Sequence, residues 1–357
     1  MFSAGSVPDP EKDIQVSLLI GDAPNSGGSV PHIALWDEDG NRFGQYKGDE
    51  NGHLDGESTK TFSIHPDQNG GHQKSPAYVL LVMQESDAIC LSAIVTSGNS
   101  KQHMWTGDMG YTCGAQWYHS EASYGDSNAP IRCVWLDSDH SSGIIAKGLS
   151  LHMPSFASDQ ALVNQYKKNQ RRLCQNEARM TFQPEPIVPD SLVTFFDPPP
   201  KYRPDGGLKK PNQGINRRTR AYPDGTNMNI HDTKRSHVRD WTVAARNTTT
   251  VTNVRGLKNN NPDRLIISSR EGHSARELCE HPDSLGPDFV DKVEGLFCDM
   301  ETGKVWPLCD DTTPGGCFDL SVREMRPGAN GGDKTGAKGA ASTDSTPVKK
   351  YKEYKEW

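Results

Sequence analysis

No stretch of the 357 residues approaches the roughly 20 apolar residues that a membrane-spanning helix needs. Hydrophobic residues make up 33 %, or about 43 % with the 34 Gly added, below the roughly 45–50 % that soluble domains carry with Gly counted. A conventional core can therefore occupy only part of the chain. Cys-x-x-Cys pairs are missing, which argues against a structural zinc site. Gly-x-Ser-x-Gly, His-Glu-x-x-His and Gly-x-x-x-x-Gly-Lys-Ser/Thr are missing too. Their absence argues against the common hydrolase, metalloprotease and nucleotide-hydrolysing classes. Met1-Phe2-Ser3-Ala4-Gly5-Ser6 has neither the basic start nor the apolar run of a secretory leader. If the protein is secreted, this is a form from which the leader has been removed.

What the chain does have is eight cysteines, four on either side of a cysteine-free middle. Cys90, Cys113, Cys133 and Cys174 lie in the first half; Cys279, Cys298, Cys309 and Cys317 crowd the end. An even set at wide spacing reads as four disulfides, which persist in an oxidising compartment. A secreted, extracellular protein is the expectation. Roughly a hundred connectivities are open to eight cysteines, and the spacing does not choose among them. With 34 Gly and 24 Pro much of the chain must be loop, and cross-links worth about 2–4 kcal/mol each would compensate. Asn247-Thr248-Thr249 is a glycosylation sequon that fits the same route and predicts a glycoprotein. Net charge is −7, yet residues 201–276 hold 16 Lys/Arg against 6 Asp/Glu, so +10, leaving −17 for the rest. That pattern suits an internal electrostatic clasp, a polyanion site or a solvated loop region.

Residues 1–157 read as an antiparallel β-sandwich. Ile14, Val16, Leu18 and Ile20 alternate with Gln15, Ser17 and Leu19, a strand with one face buried that ends at Gly21-Asp22. His32–Trp36 and Thr59–Ile64 follow, the second with Phe62 and Ile64 inward. Tyr78–Met83 and Ile89–Thr96 are continuous apolar or β-branched runs, expected at the sheet centres. Cys133–Leu136 and Ile144–Met153 supply further strands. Short strands between Gly/Asn/Asp/Pro turns favour a sandwich over a βαβ fold.

The order of these elements resembles the PLAT/LH2 β-sandwich family over about residues 13–97. The likeness rests on the strand ending in Gly21-Asp22, on Gly56-Glu57-Ser58-Thr59-Lys60-Thr61-Phe62-Ser63-Ile64, and on Asp87-Ala88-Ile89-Cys90-Leu91-Ser92-Ala93-Ile94-Val95. The family's aromatic near Ile89 is missing. The resemblance implies a sandwich that binds a lipid surface or a protein partner, with Trp105–Phe156 as an extension. Trp105-Thr106-Gly107-Asp108 and Cys113-Gly114-Ala115-Gln116-Trp117-Tyr118 resemble a pattern of uncharacterised secreted fungal proteins, which brings no function with it.

Beyond the sandwich, 158–182 is expected to hold a helix within Ser155–Met180, capped by Ser158 or Asp159 and tethered by Cys174. Residues 183–262 read as a Pro/Gly-rich basic linker-like region able to wrap over a core. Residues 263–325 form a cysteine-rich subdomain with a strand at Leu265-Ile266-Ile267, a short helix after Pro287 and a loop knot around Trp306. Residues 326–357 are a low-complexity tail whose Tyr351, Tyr354 and Trp357 are placed to dock back. No internal repeat of 20 to 50 residues is visible.

Trp105, Asp108, Gln116, Trp117 and Tyr118 are the candidate ligand-binding residues. A sugar face stacks on an indole while amides and carboxylates bond its hydroxyls; the alternative is that these rings pack around the Cys113 disulfide. Asp137, Asp139 and His140 could ligate a metal, with calcium the ion their oxygens suit and no other cofactor expected. Their alternative is a polar hairpin turn. Asp37-x-Asp39-Gly40-Asn41 reads as an Asp-Gly hairpin turn. His231, Asp232, His237, Asp240 and Trp241, interleaved with Arg235 and Arg239, could hold a metal or a polyanion, or form a solvated loop; His273 and His281 are weaker leads.

The function expected is a secreted, non-catalytic protein that recognises an extracellular carbohydrate through loop aromatics. Its partner would be a glycan or a protein, with nucleic acid and a membrane span not expected. One alternative is a polysaccharide hydrolase or lyase using paired carboxylates among Asp108, Asp137 and Asp139. Another is a secreted effector or toxin that binds a host protein or a lipid surface, processed at Lys209-Lys210, Arg217-Arg218 and Lys234-Arg235.

Overall fold

The computed structural model describes residues 13–48, 52–69, 76–98, 101–123, 128–184, 186–201, 258–313, 315–327 and 349–357. The chain divides into two compact units, one of Met1–Tyr124 with Ile131–Thr252 and one of Gly125–Pro130 with Asn253–Trp357. The fold is mainly β, and the eight cysteines form four disulfides, Cys90–Cys133, Cys113–Cys174, Cys279–Cys298 and Cys309–Cys317.

The strands of the first unit are β1 (Ile14–Ile20), β2 (Gly28–Ser29), β3 (His32–Trp36), β4 (Arg42–Tyr46), β5 (His53–Leu54), β6 (Thr59–Ile64), β7 (Tyr78–Val82), β8 (Ile89–Gly98), β9 (Lys101–Thr106), β10 (Trp117–Tyr118), β11 (Cys133–Leu136), β12 (Gly148–His152) and β13 (Met180–Gln183). Helices α1 (Gly107–Thr112) and α2 (Gln160–Lys168) lie among them. One antiparallel sheet runs β10-β11-β8-β1-β6, with β9 also paired to β8; the other runs β13-β12-β7-β3-β4. Their inner faces meet where Trp105 touches Met180 and Phe182 and where Tyr46 packs on Phe62. Both central runs, β7 and β8, sit inside their sheets as their unbroken apolar sequence demands.

The second sheet is covered on its outer face as well. Ile187, Val193 and Phe196 pack on Trp36, Tyr78 and Leu80, so part of the Pro-rich region does wrap over a core. Residues after Trp105 are integral to the sheets, since β11 pairs with β8 and β12 with β7. Gly21 is required by close approach: a Cβ there would lie 2.7 Å from Cys133 Cβ, beside the Cys90 bridge. Helix α2 is shorter than expected. Asp159 caps it by accepting from Leu162 N–H at 3.0 Å, but only Leu162 is buried, and the chain leaves the helix after Lys168 to reach the Cys174 bridge and β13.

The second unit has β14 (Arg264–Ser268), α3 (Ala275–Glu280), β15 (Asp288–Asp291), β16 (Leu296–Asp299), β17 (Lys304–Pro307), β18 (Cys317–Asp319), β19 (Glu324–Arg326) and β20 (Glu353–Glu356). The sheet order is β17-β16-β15-β14-β20, with β14 parallel to both of its neighbours. Ser274 and Glu277 start α3, the serine hydroxyl accepting from Glu277 N–H at 3.0 Å. The helix expected after Pro287 is strand β15. Phe289 and Val290 are both fully buried, so the segment has two apolar faces and suits a central strand. Trp306 is half-buried on β17, so the expected loop knot is an ordered sheet edge.

Three hairpins of this unit share one turn. Asp291 Oδ1 accepts from Val293 and Glu294 N–H, Asp299 Oδ1 from Glu301 and Thr302 N–H, and Asp319 Oδ1 from Ser321 N–H. Four residues after each Asp stands a left-handed residue, Gly295, Gly303 or Arg323. Each Asp follows a Phe within two residues, a short repeat that the search at longer periods misses.

The C-terminal aromatics dock, as their types suggest. Strand β20 closes the β14 edge, and the Trp357 ring lies 5.2 Å from His273 and 5.9 Å from Phe289. Ahead of it Lys349, 8 % exposed, meets Asp288 at 3.2 Å, Asp299 at 2.7 Å and Glu301 at 3.1 Å. Tyr351 donates to Asp288 at 2.7 Å. Removing this buried cation would strand two fully buried carboxylates. Lys349→Met is therefore expected to destabilise the second unit by about 3–5 kcal/mol, measured by chemical denaturation with hydrogen exchange followed on β14 and β15.

Candidate functional site

Strand β9 alternates, with His103 and Trp105 inward and Gln102 and Met104 outward. Trp105 is 0 % exposed and its indole N–H points at Met180 Sδ, 3.2 Å away. Trp117 and Tyr118, on β10 beside β11, are also 0 % exposed. Arg132 covers the Tyr111 ring at 4.4 Å and the Trp117 ring at 5.2 Å while pairing with Asp108 at 2.8 Å. Gln116 donates to Gly143 O at 2.8 Å and accepts from Ile145 N–H at 2.7 Å. The expected sugar platform is thus corrected: a ring with no exposed face cannot stack on a pyranose, and Trp105, Trp117, Tyr118 and Gln116 hold the first unit together.

The Asp137 turn is likewise an internal structure. Asp137 is fully buried; its Oδ2 accepts from Ser141 Oγ at 2.8 Å. Asp139 accepts from Ser141 N–H at 2.9 Å, and His140 Nδ1 lies 3.0 Å from Ile144 O. Burial, together with the neighbouring Asp139 carboxylate, raises the Asp137 pKa, whereas the Ser141 N–H lowers that of Asp139. Among the described residues no three His, Cys, Asp or Glu side chains gather as a metal site. Asp137, Asp139 and His140 thus form the polar hydrogen-bonded turn that was the alternative to a metal site, with Asp137 Oδ2 and Asp139 Oδ1 both held by Ser141. Asp37 Oδ1 accepts from Asp39 and Asn41 N–H at 3.0 and 2.8 Å, the hairpin turn expected. His273 bonds Ser268 and His281 accepts from Asp283 N–H, both within the fold of the second unit. Asn247, the His231–Trp241 cluster and the three dibasic pairs lie outside the described residues.

What the loops withhold, the outer face of the first sheet offers. Directly opposed residues of antiparallel strands share a face. Ser17 opposes Thr61 and Val95, and Val95 opposes Met104. Gln15 opposes Ser63 and Ser97, Ser97 opposes Gln102, and Leu19 opposes Thr59. These ten side chains are exposed or half-exposed, and none is charged in a chain with 24 % charged residues. Ser17 Oγ and Thr61 Oγ1 are 2.7 Å apart, and Gln15 donates to Ser63 at 3.1 Å. Asp13, which accepts from Ser63, is itself buried and paired with His65 at 2.8 Å.

A second polar group escaped sequence reading. His152, at the end of β12, lies with Nδ1 2.7 Å from Ser155 Oγ and Nε2 3.1 Å from each Glu38 oxygen. Only the spacing of His152 and Ser155 was visible in sequence; Glu38 stands 114 residues away. His103 is nearby, and burial, with the Lys101 and His152 charges adding, lowers its pKa to about 4.

No protein-family model and no curated protein matches the sequence. Among solved structures the chain is similar to deletion variants of a lipoxygenase, LOX. A variant with a further tryptophan substitution shares 12 % identity and a TM-score of 0.21 over 27 % of this chain and 14 % of that one. The deletion variant in complex with arachidonate shares 8 % identity and a TM-score of 0.21 over 34 % and 22 %. Overlaps this small carry neither fold nor function across.

The buried histidine sets an acid limit. His103 binds its proton less readily folded than unfolded, so its contribution to stability is complete above about pH 6.5 and is lost as pH falls toward about 4. The separation of those two values corresponds to about 3 kcal/mol. His103→Gln is expected to flatten stability across that window, read from urea midpoints at successive pH values.

Proposed function

We propose that the protein acts outside the cell and binds an uncharged polysaccharide on the open face formed by β6, β1, β8 and β9. The observation that carries this reading is the composition of that face. Thr59, Thr61, Ser63, Ser17, Ser97, Gln15 and Gln102 present hydroxyls and amides, with Leu19, Val95 and Met104 between them. Strands lie about 4.8 Å apart and same-face residues repeat at about 6.8 Å, so donors and acceptors are closely and regularly spaced. A neutral glycan needs paired hydroxyl partners and apolar ground for its ring C–H groups, and has no charge for a Lys or Asp to answer. Four disulfides suit an oxidising, extracellular setting.

A glycan array probed with the folded protein tests this. Binding to uncharged glycans is expected, with little dependence on salt. Thr61→Arg and Gln102→Glu, both on exposed positions, are expected to weaken it at least tenfold without shifting the melting temperature. Binding that survives both substitutions places the site elsewhere; silence on neutral glycans overturns the reading.

A further inference from the structure

The group around His152 belongs to the second sheet and takes no part in the proposed glycan face. Its ring is wholly buried, 4.7 Å from the Tyr78 ring and 4.9 Å from that of Phe196. A carboxylate only accepts hydrogen bonds, so the Glu38 contact requires the hydrogen on Nε2. In the neutral ring Nδ1 is then bare and accepts, and Ser155 must donate its O–H to it across 2.7 Å. Glu38 thereby fixes the tautomer, and the tautomer fixes the direction of the serine proton. Relative to a chymotrypsin-type triad the two ring nitrogens exchange places, but the requirement is met: a base aimed at a hydroxyl and oriented by a carboxylate. Ser155 is 3 % exposed and lies beneath α2, whose Tyr166 donates to Ser155 O at 2.8 Å. That helix buries one of its nine residues and is tied to Ser155 through this Tyr166 bond.

We propose that Ser155 is an activated nucleophile for carboxylic esters, with His152 as its base and Glu38 as the group that orients and stabilises the imidazolium. As the Oγ–carbon bond forms, the hydroxyl proton passes to His152 Nδ1. The bond from carbon to the alcohol oxygen then breaks and the alcohol leaves with that proton. Water cleaves the acyl-serine through the same nitrogen, releasing the acid and restoring the serine hydroxyl.

An alkyl fluorophosphonate tests this, because the same oxygen attacks phosphorus and expels fluoride. Intact mass and peptide mapping are expected to show a single phosphonyl adduct on Ser155, absent in Ser155→Ala. Glu38→Gln, at a partly exposed turn residue, is expected to slow labelling at least tenfold while the melting curve is retained. No adduct, an adduct on another residue, or a Ser155 adduct formed equally fast in Glu38→Gln overturns the proposal.

Discussion

The two-residue alternation of β1 sets the terms for the first unit. Ile14, Val16, Leu18 and Ile20 enter the core completely while Gln15, Ser17 and Leu19 face out. Because β1 lies between β6 and β8, its register imposes the same division on both neighbours. A slip of one residue would carry the hydroxyl and amide row inward and the isoleucines into water. The core and the uncharged outer face are therefore one decision, made by the order of seven residues.

A chain this poor in apolar residues closes its cores partly by cross-linking, and the four bridges do not contribute equally. Loop-closure entropy grows with the logarithm of loop length, about 4 kcal/mol for the 61-residue Cys113–Cys174 loop and about 2.5 for the 8-residue Cys309–Cys317 loop. In the first unit the long bridge ties the region after a thinly packed helix to the C-terminal end of α1. In the second unit the short loop can do less. There the C-terminal strand and buried Lys349 make up the difference, covering the β14 edge that would otherwise stand open.

The sandwich was legible because period-two alternation and long apolar runs are local. Strands β1, β3, β6, β7 and β8 fall where those patterns place them. Residue type alone misled in two places. Phe289 and Val290 after a proline suit a helix start or a central strand equally, and pairing with β14 and β16 decided for the strand. Trp105 and Trp117 suit a platform or a core around the Cys113 disulfide, because aromatics serve both roles; β9 alternation pairs Trp105 with His103 but does not say which face is inside. The Asp-led hairpins could have been found from the Phe, Asp and left-handed residue at fixed offsets. Glu38 and His152 could not: their meeting is a property of β3, β7 and β12 lying side by side.

Buried polar groups separate stability from use in this protein. A fully bonded network in a core is close to neutral, since each hydrogen bond returns roughly what desolvation takes. The Glu38, His152 and Ser155 contacts are of that bonded kind, with Glu38 at the partly exposed end. The Trp105 indole differs, because its large ring fills the core and only its N–H needs a partner, which Met180 supplies. Lys349 differs again, since two buried carboxylates depend on it. Set beside those two, the His152 group runs from carboxylate to imidazole to hydroxyl. That directionality is what chemistry requires and packing does not.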